Sequence, residues 1–145
     1  MRSFLFIVIL FFVGISISGC SKSGGYGLEE AIERGDVVYR NEVFNLERFE
    51  QFLINLSNKN EDTIRVTAYT HEGDPIFQDL QFDGEVIHYS YDNSNDKFAG
   101  KDKGKETDVC KEVIEKKNNQ GEIEYLISGC SKNTEHILIS VEKKH

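Results

Sequence analysis

Pro75 to Asp92 reads PIFQDLQFDGEVIHYSYD, and the alternation within it decides the fold class. Ile76, Leu80, Phe82, Ile87, Tyr89 and Tyr91 fall on one side of an extended chain. Asp79, Gln81, His88 and Ser90 fall on the other, with Phe77 and Val86 as its apolar members. Successive strand side chains point to opposite faces, so this period of two describes a strand pair with one buried and one mostly wet face. Asp83-Gly84 between the runs is a tight-turn signal. The stretch therefore predicts a hairpin with a two-residue loop, pairing Leu80 with Ile87 and Ile76 with Tyr91, and setting Asp79 opposite His88.

Working towards the N-terminus, Thr63 to Thr70 alternates Ile64, Val66 and Ala68 with Arg65, Thr67 and Tyr69, which predicts another strand. Before it the period lengthens. Leu46, Phe49, Leu53 and Leu56, widened by Phe52, form an apolar stripe at helical spacing, and Asn45 is placed to cap a helix ending near Ser57. Leu28 to Arg34 predicts a short helix stopped by Gly35, followed by an extended Val37-Val38-Tyr39.

Towards the C-terminus, Asp92 to Thr107 is polar, contains glycine and is rich in lysine, and reads as a long loop. Asn118-Asn119-Gln120-Gly121 is a second turn signal between β-rich runs, and Glu135 to Val141 predicts a last strand. Together these elements predict an α+β fold: an antiparallel β-meander of about six strands with one main helix packed on one face, plus a short N-terminal helix.

A three-residue loop Asn119–Gly121 places Gly121 at the left-handed position that such loops require. It also aligns Val113 with Ile127, Ile114 with Leu126, Lys116 with Glu124, and Cys110 directly with Cys130. Opposed Cα atoms lie about 4.5–5.5 Å apart, within reach of a disulfide. The pair lacks the close C-x-x-C spacing of a redox motif, and a structural bridge is expected.

The chain carries three cysteines, and the remaining one, Cys20, has a different context. Arg2 precedes an unbroken apolar run from Phe4 to Val13, followed by Ile17-Ser18-Gly19-Cys20. The run is too short for a permanent membrane span and has the layout of a secretory signal. Ile17, Ser18, Gly19 and Cys20 resemble the lipobox of bacterial lipoproteins, with Ile17 where leucine is commoner. That resemblance implies cleavage before Cys20 and acyl chains on the cysteine, so that the partner of this end is membrane lipid. Ser21 to Gly27 has the composition of a flexible tether. The expected organisation is a signal peptide over 1–19, a lipidated cysteine and tether over 20–27, and one domain over 28–145.

The 145 residues carry 17 Lys and Arg against 25 Asp and Glu, a net charge of −8 that loss of Arg2 deepens by one. Such a domain is repelled by nucleic acid, and no nucleic-acid partner is expected. At 39% hydrophobic and 29% charged, the composition is that of a globular chain rather than a disordered one.

Several runs taken in order resemble one family. They are Gly73-Asp74-Pro75-Ile76-Phe77, the Asp83-Gly84 hairpin, Tyr89 to Ser94, Lys97 to Gly104, and the Cys110 and Cys130 pair. Over most of Gly35 to Ser131 the chain is similar to uncharacterised Firmicutes lipoproteins catalogued only as a domain of unknown function. The resemblance implies a Gram-positive envelope, with the chain anchored at the outer face of the cell membrane. It implies no substrate, cofactor or catalytic residue.

The residues themselves offer few sites. Asp92, Ser94 and Asp96 echo the start of a calcium loop, but Lys97 stands where its glycine belongs and Lys103 where its last acid belongs. The histidines form no ligand spacing with one another, and neither a metal nor a cofactor is expected. No activated nucleophile or base is evident, so no catalytic residue is assigned and an enzyme is not expected. The loop supplies the interaction candidates Tyr91, Asp92, Asn93, Phe98, Lys101 and Lys103, since binding residues gather on loops carried by rigid scaffolds. The leading expectation is a membrane-anchored binding module of the envelope. The alternatives are an envelope enzyme with an unrecognised acidic site and a structural or stress-related envelope protein.

Overall fold

The computed structural model describes residues 25–133 and 135–142. Ile17, Ser18, Gly19 and Cys20 lie outside the described residues. Helix α1 (Leu28–Glu33) is followed by strands β1 (Val37–Tyr39) and β2 (Val43–Phe44), helix α2 (Leu46–Ser57), and strands β3 (Asp62–Tyr69), β4 (Pro75–Phe82) and β5 (Ile87–Asp92). A single 3-10 turn (Gly100–Asp102) interrupts the next connection. Strands β6 (Lys105–Cys110), β7 (Glu112–Lys117), β8 (Ile123–Ser128) and β9 (His136–Val141) complete the chain.

The expected six-strand antiparallel meander is wrong in two respects. The strands form two sheets, one of six in the order β2-β1-β3-β4-β5-β6 and one of three in the order β7-β8-β9. The larger sheet is mixed, because β1 runs parallel to β3, with Val37 beside Val66 and Tyr39 beside Ala68. A parallel neighbour needs a crossover, and β2 with α2 supplies it. The fold is thus mostly β, with one main helix. The chain leaves the large sheet at Cys110 and enters the small one at Glu112, so Lys111 is the corner between them.

One core joins these layers. Phe49 and Phe52 of α2 are fully buried against Ile64, Val66, Leu80 and Ile87 of the large sheet. Ile127, Leu138 and Ile139 of the small sheet are buried in the same cluster. The Phe49 ring meets Tyr125 edge-on with centroids 5.2 Å apart. Both α2 and the small sheet therefore cover the face of the large sheet that carries Leu80 and Tyr89. Burial of this apolar area, at about 25 cal/mol per Å², is the main source of stability.

The β4–β5 hairpin keeps the expected faces but not the expected register. Phe82 pairs with Ile87 and Leu80 with Tyr89, two residues from the anticipated alignment. The turn is Asp83–Val86 rather than two residues, because the Asp83 carboxylate accepts the N–H groups of both Glu85 and Val86 at 3.0 and 2.9 Å. A shift of two preserves which side chains face inward. It also separates Asp79 from His88: Asp79 forms a bidentate pair with Arg65, and His88 meets Asp83 at 2.7 Å. The β7–β8 hairpin has the expected register, with Val113 beside Ile127 and Lys116 beside Glu124.

Asn45 does not cap α2 with its side chain. It takes a left-handed conformation at φ 55°, and its amide donates to the carbonyls of Ile32 and Asp36 at 3.1 and 2.7 Å, tying α1 to the start of α2. Cys110 and Cys130 are joined by a disulfide. Their Cα atoms are 3.8 Å apart, closer than the separation expected of opposed strand residues.

Candidate functional site

The N-terminal segment is held on the outer face of the large sheet, opposite α2. Tyr26 packs edge-on against Phe77 at 5.1 Å, and its hydroxyl donates to Asp36 Oδ2 at 2.8 Å. Thr67, fully buried, donates to the same oxygen at 2.6 Å. Tyr69 donates to the Tyr26 carbonyl at 3.0 Å. Burial, followed by the adjacent Asp36 carboxylate, pushes the Tyr26 hydroxyl up to about 12. Tyr26 is thereby placed at the end of the sheet where β3 turns into β4.

The connection between β5 and β6 reaches the same end. Its strands extend further than the sequence suggests, so the loop covers only residues 93–104. Asn93 closes it: the backbone N–H donates to the Gly104 carbonyl at 3.1 Å, the side-chain amide donates to the Asp102 carbonyl at 3.1 Å, and Gly104 N–H donates back to Asn93 Oδ1 at 2.7 Å. The loop is also fastened to the β3–β4 turn, where Lys97 N–H donates to Asp74 Oδ2 at 3.1 Å and Lys97 Nζ lies 3.4 Å from Asp74 Oδ1. Asp74 is in turn held by Thr70, the residue after Tyr69.

This geometry divides the interaction candidates. Tyr91 is not on the loop; it is half-buried on the core face, with its ring stacked at 18° on His136. Asn93 is buried and acts as the loop's staple. The Asp92 and Asp96 carboxylates turn onto the N–H groups of Ser94 and Phe98 at 2.9 and 2.8 Å. The Ser94 hydroxyl and N–H hold the Asp92 carboxyl below its usual range. Asp92, Ser94 and Asp96 thus form successive tight turns rather than a shared cage. Phe98, 74% exposed, projects outward, and Lys97, Lys101 and Lys103 are exposed with it.

At the opposite end of the molecule lies a cleft that sequence reasoning missed. It has a volume of about 640 Å³ and opens between α2 and the β7–β8 hairpin. Leu53, Leu56, Phe82, Val113 and Tyr125 give it an apolar floor, and Lys59, Glu85, Lys111, Glu112 and Glu115 stand at the rim. The only sequence signal was the breadth of the α2 stripe: Phe49 and Phe52 fill the core, leaving Leu53 and Leu56 half-buried at its margin.

Among the described residues, each carboxylate with a displaced titration is displaced downward: Asp62, Asp83, Asp92, Asp108 and Glu135. Asp108 shows the cause plainly, since the Ser131 hydroxyl and three backbone N–H groups converge on its oxygens. Its neighbours Cys110 and Cys130 would complete a metal-ligand group, but their sulfurs are bonded to each other.

The segment from residue 34 to residue 125 matches the family described as a domain of unknown function, DUF4362. The chain belongs to this family. The DUF4362 match takes in the large sheet, α2, the 93–104 loop and Cys110, and stops short of Cys130. No curated protein and no solved structure matches the chain.

Proposed function

We propose that this DUF4362 protein is a lipid-anchored binding module on the outer face of a Gram-positive cell membrane. Cleavage before Cys20 and acylation of its sulfur would leave the short tether Ser21–Gly27, in which Tyr26 is the residue fastened to the sheet. The observation that carries the binding role is the position of the apolar-floored cleft. It adjoins Phe82 and Gly84, at one end of β4, whereas Tyr26 meets Phe77 and Tyr69 towards the other. Strand β4 is eight residues and spans about 25 Å. A domain held at the Tyr26 end therefore presents its cleft away from the lipid.

An apolar floor with a rim of both charge signs suits a small amphipathic ligand or an apolar side chain of a partner. Two measurements test the reading. The full chain should sediment with membranes, whereas Cys20→Ala should not. An anilinonaphthalene sulfonate dye should bind the folded domain, and Leu56→Glu should abolish that binding while leaving the melting transition cooperative. Equal dye binding by both proteins would remove the cleft from consideration.

A further inference from the structure

We propose that the 93–104 loop is a second membrane contact, which seats Phe98 among the headgroups of an anionic bilayer and fixes the orientation of the tethered domain. The inference rests on the lipid-anchor reading above. Its ground is the convergence of three features at one end of the large sheet.

The first is the tether. Tyr26 is fastened to Phe77 and Asp36, and the residues from Cys20 to Gly25 can reach at most about 20 Å even when fully extended. Lipid on Cys20 would therefore bring this end of the domain close to the bilayer surface. The second is position. Phe77, which receives Tyr26, pairs directly with Asp92, the last residue before the loop. Lys97 is bonded to Asp74 in the turn that follows Tyr69. The loop and the tether root thus flank the same turn.

The third is chemistry. Phe98 is the most exposed of the large apolar side chains among the described residues. Asn93 and Asp74 hold its loop closed, so presenting it costs little ordering entropy. Lys97, Lys101, Lys103 and Lys105 flank it in the sequence, against Asp92, Asp96 and Asp102. The segment sums to +1, and Asp74, paired with Lys97, brings the patch to neutrality on an otherwise strongly acidic protein. Two of those acids are folded back onto the Ser94 and Phe98 amides. An aromatic residue bordered by lysines is the arrangement that favours the membrane interface. Free in solution, such a contact would be too weak to hold an acidic domain on an anionic surface. A tether makes it intramolecular, with an effective concentration on the order of millimolar.

The chain has no tryptophan, so Phe98→Trp provides a single reporter. The test uses the chain from Cys20 to His145, coupled through the Cys20 thiol to a maleimide lipid in phosphatidylglycerol–phosphatidylcholine vesicles. The other two cysteines are in the disulfide. Emission from the Phe98→Trp protein should shift to the blue and be quenched at least twofold by brominated lipid. Ile54→Trp, on the exposed side of α2, should show neither effect. Changing Lys97, Lys101 and Lys103 together to Glu in the Phe98→Trp background should reverse both the shift and the quenching. An unquenched indole at position 98, or equal quenching at positions 98 and 54, would overturn the proposal. Because coupling supplies the tether chemically, that failure is separate from a failure of the cell to acylate Cys20.

Discussion

Replacing Tyr26 tests the placement on which the orientation of the domain depends. Its hydroxyl donates to Asp36 at 2.8 Å, and Asp36 is only 7% exposed. A hydrogen bond to a charged group contributes about 1.5–3 kcal/mol. The lower end applies to Tyr26→Phe, because Thr67 still donates to the same carboxylate oxygen. Tyr26→Ala also loses the edge-on contact with Phe77, worth about 1 kcal/mol, and the Arg34 guanidinium 5.5 Å from the ring, worth about 0.5 kcal/mol at an exposed position. Releasing the short segment around Tyr26 returns about 1 kcal/mol of backbone entropy. The expected losses are thus about 1.5 kcal/mol for Phe and about 2 kcal/mol for Ala, the latter reduced by that released entropy. Urea denaturation followed by far-ultraviolet circular dichroism would measure both. A Tyr26→Ala midpoint indistinguishable from wild type would mean that the segment is not held on the sheet. Tether and loop would then have no reason to face one surface.

Three further outcomes are expected. Changing Cys110 and Cys130 together to Ala opens a closure with a sequence separation of 20, and should cost about 3 kcal/mol in the same titration. Asn93→Ala removes the staple of the loop: amide exchange should accelerate throughout residues 93–104 while the protection of β3 and β4 stays unchanged. Asp83 is pulled down from 3.8 to about 2, chiefly by the Val86 N–H and then by His88 and the Glu85 N–H. A carboxyl lowered by folding stabilises above its unfolded value, and that contribution is lost as pH falls through the folded one. Stability should therefore drop between pH 3.8 and about 2 in the wild type, and drop less steeply in Asp83→Asn.

What the sequence made legible was local. Alternation from Ile76 to Tyr91 identified the buried face, because parity alone sets it, but parity leaves register free by steps of two. The Asp83 side chain chose the step by accepting two turn amides. Asn118 and Gly121 define their turn by short-range bonds and a left-handed φ of 89° at Gly121, so the register from Glu112 to Ser128 was readable. The expected continuation to Cys110 was not, because Cys110 belongs to β6 beside Ile87. Strand β1 was not readable as a sheet member, since its three residues pair with β3 across an intervening helix. Strand β6 was hidden because Lys105, Glu106 and Thr107 are exposed on an edge and carry no apolar alternation. At the candidate site, Phe98 and its lysines were visible as composition. The staple role of Asn93 and the cleft beneath Leu53 and Leu56 arise from long-range packing that no local pattern encodes.

The central claim is that this domain works while held by lipid at Cys20, with its cleft turned outward. The most direct measurement is the intact mass of the full chain recovered from the membranes of a Gram-positive host. The expected species is a polypeptide beginning at Cys20, heavier by a diacylglycerol group and lighter by the two hydrogens of the Cys110–Cys130 bridge. A chain that begins elsewhere, or carries an unmodified Cys20, would contradict the claim.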